Sequence, residues 1–275
     1  MMFDVKDTVT KRRSVRSYDS RALEQDTKEK ILSYAEELEN PIGPKIRIQF
    51  IDKNTAANGE KLGTYGIIKG ADSFIGVTAV KEDYALEALG YEFEQIVLYA
   101  TSLGLGTCWM GGTFKRAAFA AAMEIGENEM FPILSPIGYP AEKKSLAEKL
   151  MSKGVNSRSR FEWDKLFFEN DFAKALTEEM AGEYAFPLEM VRLAPSAVNK
   201  QPWRVVMSDN AVHFYKSGNM SEGLGFDMQR IDLGIALCHF HLAAQEKGLK
   251  GHFERNKPEL AEPKGTEYII SWIKD

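Results

Sequence analysis

Two short stretches of this chain carry residue types that could bind an anion and a planar ring. The first is KRRSVR, where Lys11, Arg12, Arg13 and Arg16 surround Ser14. Guanidinium groups make bidentate, charge-assisted hydrogen bonds to phosphate oxygens, and a serine hydroxyl adds a donor. The same cations would also suit a helix C-terminus, where the macrodipole favours positive charge. The second stretch is LAPSAVNKQPWRVV, with Pro195, Ser196, Ala197, Asn199 and Gln201. Asn and Gln each offer donors and acceptors, which matches a ring edge of carbonyls and nitrogens. These residue types also favour an ordinary helix-to-strand turn. Two smaller signals accompany them. Met110, Gly111 and Gly112 form a loop whose glycines let backbone N–H groups approach a flat ligand. Arg158 and Arg160 alternate in a segment that reads as extended, so both side chains point the same way.

The elements that must position these residues follow from periodicity. Helices are expected over 3–12, over 25–39, where Ile31, Leu32, Ala35 and Leu38 fall at helical spacing, and over 86–103. The second is stopped by NPIGP and the third by the glycines of SLGLG. Strands are expected at 45–51 and 73–80, then a short strand at TCWMGG, a helix at 115–123 and a strand through FPILSPIGYP. The aromatic segment 161–168 reads as a docking segment rather than a linker. The order then begins again: helix 188–193, a Pro-containing loop, strands at 203–207 and 212–216, and an apolar helix over 231–246 that also ends in Gly-Leu. Such an order points to a duplicated α+β unit, with a first half at 1–168 and a shorter second half at 169–275.

Composition narrows the function class. At 275 residues and 44% hydrophobic, the chain is long enough for a sizeable core. A net charge of -5 and a pI near 5.6 argue against general nucleic-acid binding. Only two cysteines, Cys108 and Cys238, both in apolar surroundings, suit a reducing cytoplasm. No apolar run approaches the roughly 20 residues of a membrane span, and the N-terminus lacks a signal-peptide core, so a soluble cytoplasmic protein is expected. His239 and His241 lie two apart on a helix and point to nearly opposite sides, so no metal is expected. There is no dinucleotide fingerprint and no phosphate loop.

Several of these motifs carry a family resemblance. DTVTKRRSVRSYDSRAL is similar to the opening of the flavin-dependent nitroreductases, and APSAVNKQPWRVV to their Pro-Ser-x-x-Asn-x-Gln-Pro-Trp loop. LYATSLGLGTCWMGG resembles their core helix and glycine loop, SPIGYPAEK their strand end, and SRSR their basic tail. The resemblance covers most of the chain. It departs in order, since the carboxamide loop of ordinary members follows Arg-Arg-Ser within a few dozen residues. Ordinary members are homodimers whose sites draw on both subunits, so this chain resembles a single-chain pseudo-dimer.

The resemblance implies an α+β, nitroreductase-like fold with mostly antiparallel sheets, long core helices and a duplicated three-layer unit. It implies FMN as cofactor, held by Arg12, Arg13, Ser14, Arg16, Met110, Gly111, Gly112, Arg158, Arg160, Pro195, Ser196, Ala197, Asn199 and Gln201. Hydride from NADH or NADPH would pass to a nitroaromatic, a quinone or a related small acceptor. No catalytic side chain is expected, because the flavin carries the chemistry. A substrate lid is sought at 80–86 and 220–225, and a single chain is expected to suffice for one site. Two other readings use the same residues: a flavin-binding protein without turnover, for storage or sensing, and a flavin-free scaffold.

Overall fold

A computed structural model describes residues 2–53, 62–143, 145, 148, 154, 156, 159–219 and 223–275. The first run of elements is α1 (Val5–Lys11), α2 (Gln25–Glu37), β1 (Arg47–Asp52), β2 (Ser73–Val80), α3 (Ala85–Ser102), β3 (Gly106–Thr107), α4 (Arg116–Met123) and β4 (Glu129–Gly138). The second run is β5 (Phe167–Glu169), α5 (Glu178–Ala181), α6 (Ala185–Leu193), β6 (Trp203–Met207), β7 (Ala211–Ser217), α7 (Met228–Glu246), β8 (Gly251–Glu254) and β9 (Thr266–Lys274). Local chemistry sets several boundaries. Asp4 caps α1 by accepting the Asp7 N–H at 2.7 Å, and Asp227 caps α7 by accepting the Gln229 N–H at 3.0 Å.

The strands form two sheets, β1-β2-β4-β3 and β5-β6-β7-β9-β8. All pairings are antiparallel except β5 with β6. Without β5, the second sheet repeats the strand order of the first. Both glycine-ended helices also recur: Gly90 and Gly104 are fourteen positions apart, as are Gly234 and Gly248. Gly104 and Gly248 close α3 and α7 in the left-handed conformation, with φ of 78° and 72°.

α3 packs on β2 of the first sheet, α7 packs on β6 and β7 of the second, and the two helices pack on each other. Their helical layer therefore lies between the sheets. The crossing is backbone to backbone. A Cβ on Gly90 would overlap the Ile231 carbonyl, and a Cβ on Gly234 would overlap the Glu87 carbonyl. Nearly every residue of α3 is buried, including Glu87, Glu92 and Glu94, so the interface must satisfy carboxylates. Arg230 of α7 pairs with Glu87, Asn40 donates to Glu92 at 2.9 Å, and His239 of α7 meets Glu94 at 3.0 Å.

Most expected elements are present within a few residues. The strand sought in TCWMGG is shorter than expected, reduced to Gly106–Thr107. The C-terminal strands β8 and β9 complete the second sheet. The boundary expected after residue 168 cuts through β5, which pairs with β6 and so belongs to the second sheet. Ahead of it, Trp163 docks edge-on against Phe167 with ring centroids 4.5 Å apart.

Candidate functional site

A cleft of about 360 Å³ opens where the start of the chain, the 108–113 loop, the 195–200 loop and the first turns of α7 converge. Arg12, Ser14 and Arg16 line it, whereas Arg13 is exposed and does not. The segment after α1 is extended: Ser14 bridges to Thr107, and the Val15 N–H donates to the Thr107 carbonyl at 2.8 Å. Alternate side chains of an extended segment share a face. Arg12, Ser14 and Arg16 therefore share the cleft side. Arg13 falls on the other face, away from the cleft lining.

Arg160 arrives from the other side of the sequence. Its guanidinium donates to the carbonyls of Ser159 at 2.8 Å and Leu193 at 3.0 Å, and to Asn199 Oδ1 at 3.3 Å. Burial lowers its pKa to about 10, and the neighbouring cations Arg12 and Arg192 act in the same direction. Burial also lowers the pKa of Arg12, against the opposing pull of Glu94 and Cys108. Cations held this way, partly desolvated and close to one another, form a ready anion site. Arg158 lies outside the described residues.

The 195–200 loop lines the cleft with Pro195, Ser196, Ala197, Val198, Asn199 and Lys200. Its backbone is strained: Val198, Asn199 and Gln201 have φ of 46°, 59° and 49°. A β-branched residue rarely adopts such a conformation, and here the Val198 side chain is 66% exposed at the cleft. The carboxamides do more holding than expected. Asn199 Nδ2 donates to the carbonyls of Asn156 at 3.0 Å and Ser159 at 3.1 Å. Gln201 is buried and does not line the cleft; its Oε1 accepts the Phe161 N–H at 2.8 Å. Gln201 is therefore a residue that fastens the Arg160 segment, because its carboxamide is turned into the fold. The Ser196 hydroxyl accepts the Gln201 N–H at 2.8 Å.

Met110, Gly111 and Gly112 line the opposite wall. Met110 exchanges both backbone hydrogen bonds with Leu134 at 3.0 Å, and Arg116 donates to the Gly111 carbonyl. A Cβ on Gly111 would overlap the Met228 methyl group, so a larger residue there would displace the Met228 side chain. Ile67, Ile133, Leu224, Ile231 and Ile235 make the remaining surface largely apolar. Cys108 also lines the cleft, but burial raises its thiol pKa and keeps it neutral.

Sequence reading missed Asp232 and Gln229, which line the cleft from α7. Asp232 Oδ1 accepts the Ala197 N–H at 2.9 Å. Burial pushes its carboxyl up to about 8, with Asp227 reinforcing the shift and the Ala197 N–H and Lys200 opposing it. A lone acid inside the apolar run RIDLGIALC was the available signal.

None of residues 80–86 lines the cleft, so the lid sought there is not at this site. Tyr84 of that segment instead carries Arg255, 3.7 Å from its ring centroid. Of the second lid candidate, 220–222 lie outside the described residues, and Leu224 lines the cleft. His239 turns toward Met190 and Glu94, and His241 toward Tyr91. Among the described residues, no group of three metal-ligating side chains is placed to hold an ion. No helix among them is long and apolar enough to cross a membrane.

Two antiparallel-rich sheets around a helical layer define an α+β protein with a cleft lined by arginines and apolar side chains. The chain belongs to the family described as "Putative TM nitroreductase", whose model matches residues 4–244. A crystal structure of a "putative nitroreductase" from Thermotoga maritima shares the fold, with 22% identity and a TM-score of 0.63 over 100% of this chain and 95% of that one. A nitroreductase with bound FMN from Bacteroides fragilis is 20% identical, with a TM-score of 0.43 over 53% of this chain and 92% of that one. A nitroreductase family protein from Clostridium difficile is 21% identical, with a TM-score of 0.42 over 55% and 92%. No curated protein matches the sequence.

Proposed function

We propose that this protein is an FMN-dependent oxidoreductase that takes hydride from NADH or NADPH and reduces a nitroaromatic, a quinone or a related small acceptor. The observation that carries this reading is the convergence of Arg12, Ser14, Arg16 and Arg160 with the 195–199 loop in one cleft. These residues come from segments nearly 150 or more positions apart in the sequence, and no local folding rule would bring them together.

The cleft's residues fit the cofactor. Arg12, Arg16 and Arg160 with Ser14 supply the charge and donors that a phosphate requires. The Gly111–Gly112 loop and the isoleucines of α7 leave flat apolar walls suited to a ring system. FMN, when bound, supplies the hydride chemistry, accepting from the nicotinamide and passing electrons to the acceptor. The chain's own residues do the holding. Arg116 fixes the Gly111 carbonyl, and Asn199 and Gln201 fasten the segment that presents Arg160. The apolar walls exclude water, and Cys108 stays a neutral thiol without a nucleophilic role.

We read the two halves as a pseudo-dimer within one chain, in which the second half supplies what a partner subunit would. The repeated strand order and the reciprocal Gly90–Gly234 crossing support this reading. It leads to one FMN per chain. The segment 169–186 that corresponds to the arginine cluster holds Glu169, Asp171, Glu178, Glu179 and Glu183 against Lys174 alone, which would repel a second phosphate. Titration of flavin-free protein with FMN is therefore expected to end at one equivalent with the chain monomeric. An end point of two equivalents, or binding only by a dimer, would refute the pseudo-dimer.

A further inference from the structure

We propose that Asp232 and Gln229 form a recognition pair for the imide edge of the bound flavin ring, with Asp232 donating to a ring carbonyl and Gln229 accepting the adjacent ring N–H. The proposal rests on the flavin reading above and assigns this edge to α7. Three residues apart on a helix, the two side chains are neighbours on one face. Both line the cleft, and they are 2% and 3% exposed. One polar atom of each is already held: Asp232 Oδ1 by the Ala197 N–H at 2.9 Å, and Gln229 Nε2 by the Asn219 carbonyl at 2.8 Å. The other atom of each, Asp232 Oδ2 and Gln229 Oε1, is buried with no hydrogen-bond partner among the described residues.

Native proteins rarely leave such atoms unmatched, and a bound ligand is one way to satisfy them. The bonds already made fix the orientation of both side chains, so the pair is organised before a ligand arrives. A carboxylate cannot donate, but a protonated carboxyl can. Burial holds Asp232 up to about 8 and therefore largely protonated at neutral pH. The charges that bear on it are Asp227 on the same helix, which reinforces the shift, and Lys200 on the facing loop, which opposes it. Across the cleft stand Arg12, Arg16 and Arg160. On α3, Glu87 is taken by Arg230 and Glu94 by His239 and Trp109. An acid O–H beside a carboxamide oxygen presents a donor and an acceptor in sequence. The imide edge, with its carbonyl next to an N–H, is the complement. The pair's depth suits a resident ring rather than a visiting one.

The test uses full-length, flavin-free protein with FMN and N3-methyl-FMN as probes, and affinity is read from flavin fluorescence. Wild type is expected to prefer FMN by about tenfold or more, because methylation removes the donor that Gln229 accepts. Gln229→Leu should bind the two probes alike. Asp232→Asn, whose amide still donates, should retain FMN affinity within a few-fold, while Asp232→Leu should lose about tenfold or more. Relative to Asp232→Asn, wild-type affinity should fall as pH rises through about 8, a comparison that cancels the titration of the FMN phosphate. A second readout needs no ligand. An acid whose folded pKa is raised keeps its proton after the unfolded state has lost it, so wild-type apoprotein should lose stability as pH rises from about 4 to about 8 and level off above that. Asp232→Asn should lose that slope. Unchanged discrimination in Gln229→Leu, or wild-type affinity in Asp232→Leu, overturns the pair. Wild type that binds both probes equally overturns the pair but leaves the flavin reading standing. Wild type that binds neither overturns both.

Discussion

Replacing Arg12 by methionine should separate ligand binding from stability, because the structure places a desolvated cation beside another cation. Burial lowers the pKa of Arg12, and Arg160 is lowered to about 10 by burial first and by Arg12 next. In the ligand-free protein, that arrangement stabilises little. Methionine keeps most of the apolar stem of the side chain. Glu94, the carboxylate that attracts Arg12, retains His239 at 3.0 Å and Trp109 at 2.8 Å. The unfolding free energy of Arg12→Met apoprotein should therefore change by less than about 1 kcal/mol. Binding should respond differently. One charge-assisted contact to phosphate contributes about 1.5–3 kcal/mol, which is roughly 10- to 140-fold in Kd. Urea unfolding of the apoprotein measures the first quantity, and calorimetric titration with FMN measures the second. Riboflavin, which has the ring without the phosphate, is the control and should bind wild type and Arg12→Met alike. The reasoning is refuted if FMN and riboflavin weaken equally, or if the apoprotein loses more stability than FMN loses affinity. Either outcome would make Arg12 a structural end to α1 and not an anion ligand.

The helix crossing and one surface ion pair give further expectations. Gly90→Ala and Gly234→Ala should each destabilise the protein by about 1–3 kcal/mol or more through overpacking, despite better helix propensity, because the new methyl meets a backbone carbonyl of the facing helix. Gly104→Ala, with nothing within 4 Å of the new methyl, should lose only the about 1 kcal/mol of its left-handed backbone; equal losses in urea unfolding at all three sites would remove the special role of the crossing. Glu129 is pulled down to about 2, chiefly by its hydrogen bonds from Arg47 at 2.8 Å. Its folded pKa lies below the unfolded one, so the pair's stabilisation is present above the unfolded carboxylate pKa and is lost as pH falls toward about 2. The pair is partly exposed and screened, so the effect should be only about 0.5–1 kcal/mol; Arg47→Met should remove that part of the acid-side slope in urea unfolding, and an unchanged slope would refute it.

How much of the site is legible in the sequence differs from residue to residue. Ser14 and Arg16 were legible because residue type and clustering announce anion chemistry before any fold is known. The 195–202 loop was legible because two prolines and spaced carboxamides are an unusual composition. That Arg13 lies off the cleft wall was not legible, since clustering says nothing about which side of an extended segment a residue occupies. The inward turn of Gln201 was not legible either, because a carboxamide that fastens a loop has the same sequence signature as one that faces a ligand. Asp232 and Gln229 stayed hidden inside what reads as an ordinary apolar helix.

Periodicity and breakers by themselves determined the two long helices, most strands and the recurrence of one element order, because those signals are local. They also set the chemistry available to the chain. Only the tertiary structure decided that the Arg12 end of the chain and the Asn199 loop share a cleft, since that contact spans most of the sequence. It decided too that Gly90 and Gly234 meet, which let α3 and α7 approach closely. The physical reason is that burial is a property of the whole packed chain. Whether Asp232 is an ionised surface group or a neutral acid in a cleft wall depends on what surrounds it, and residue 232 is surrounded by segments far away in sequence.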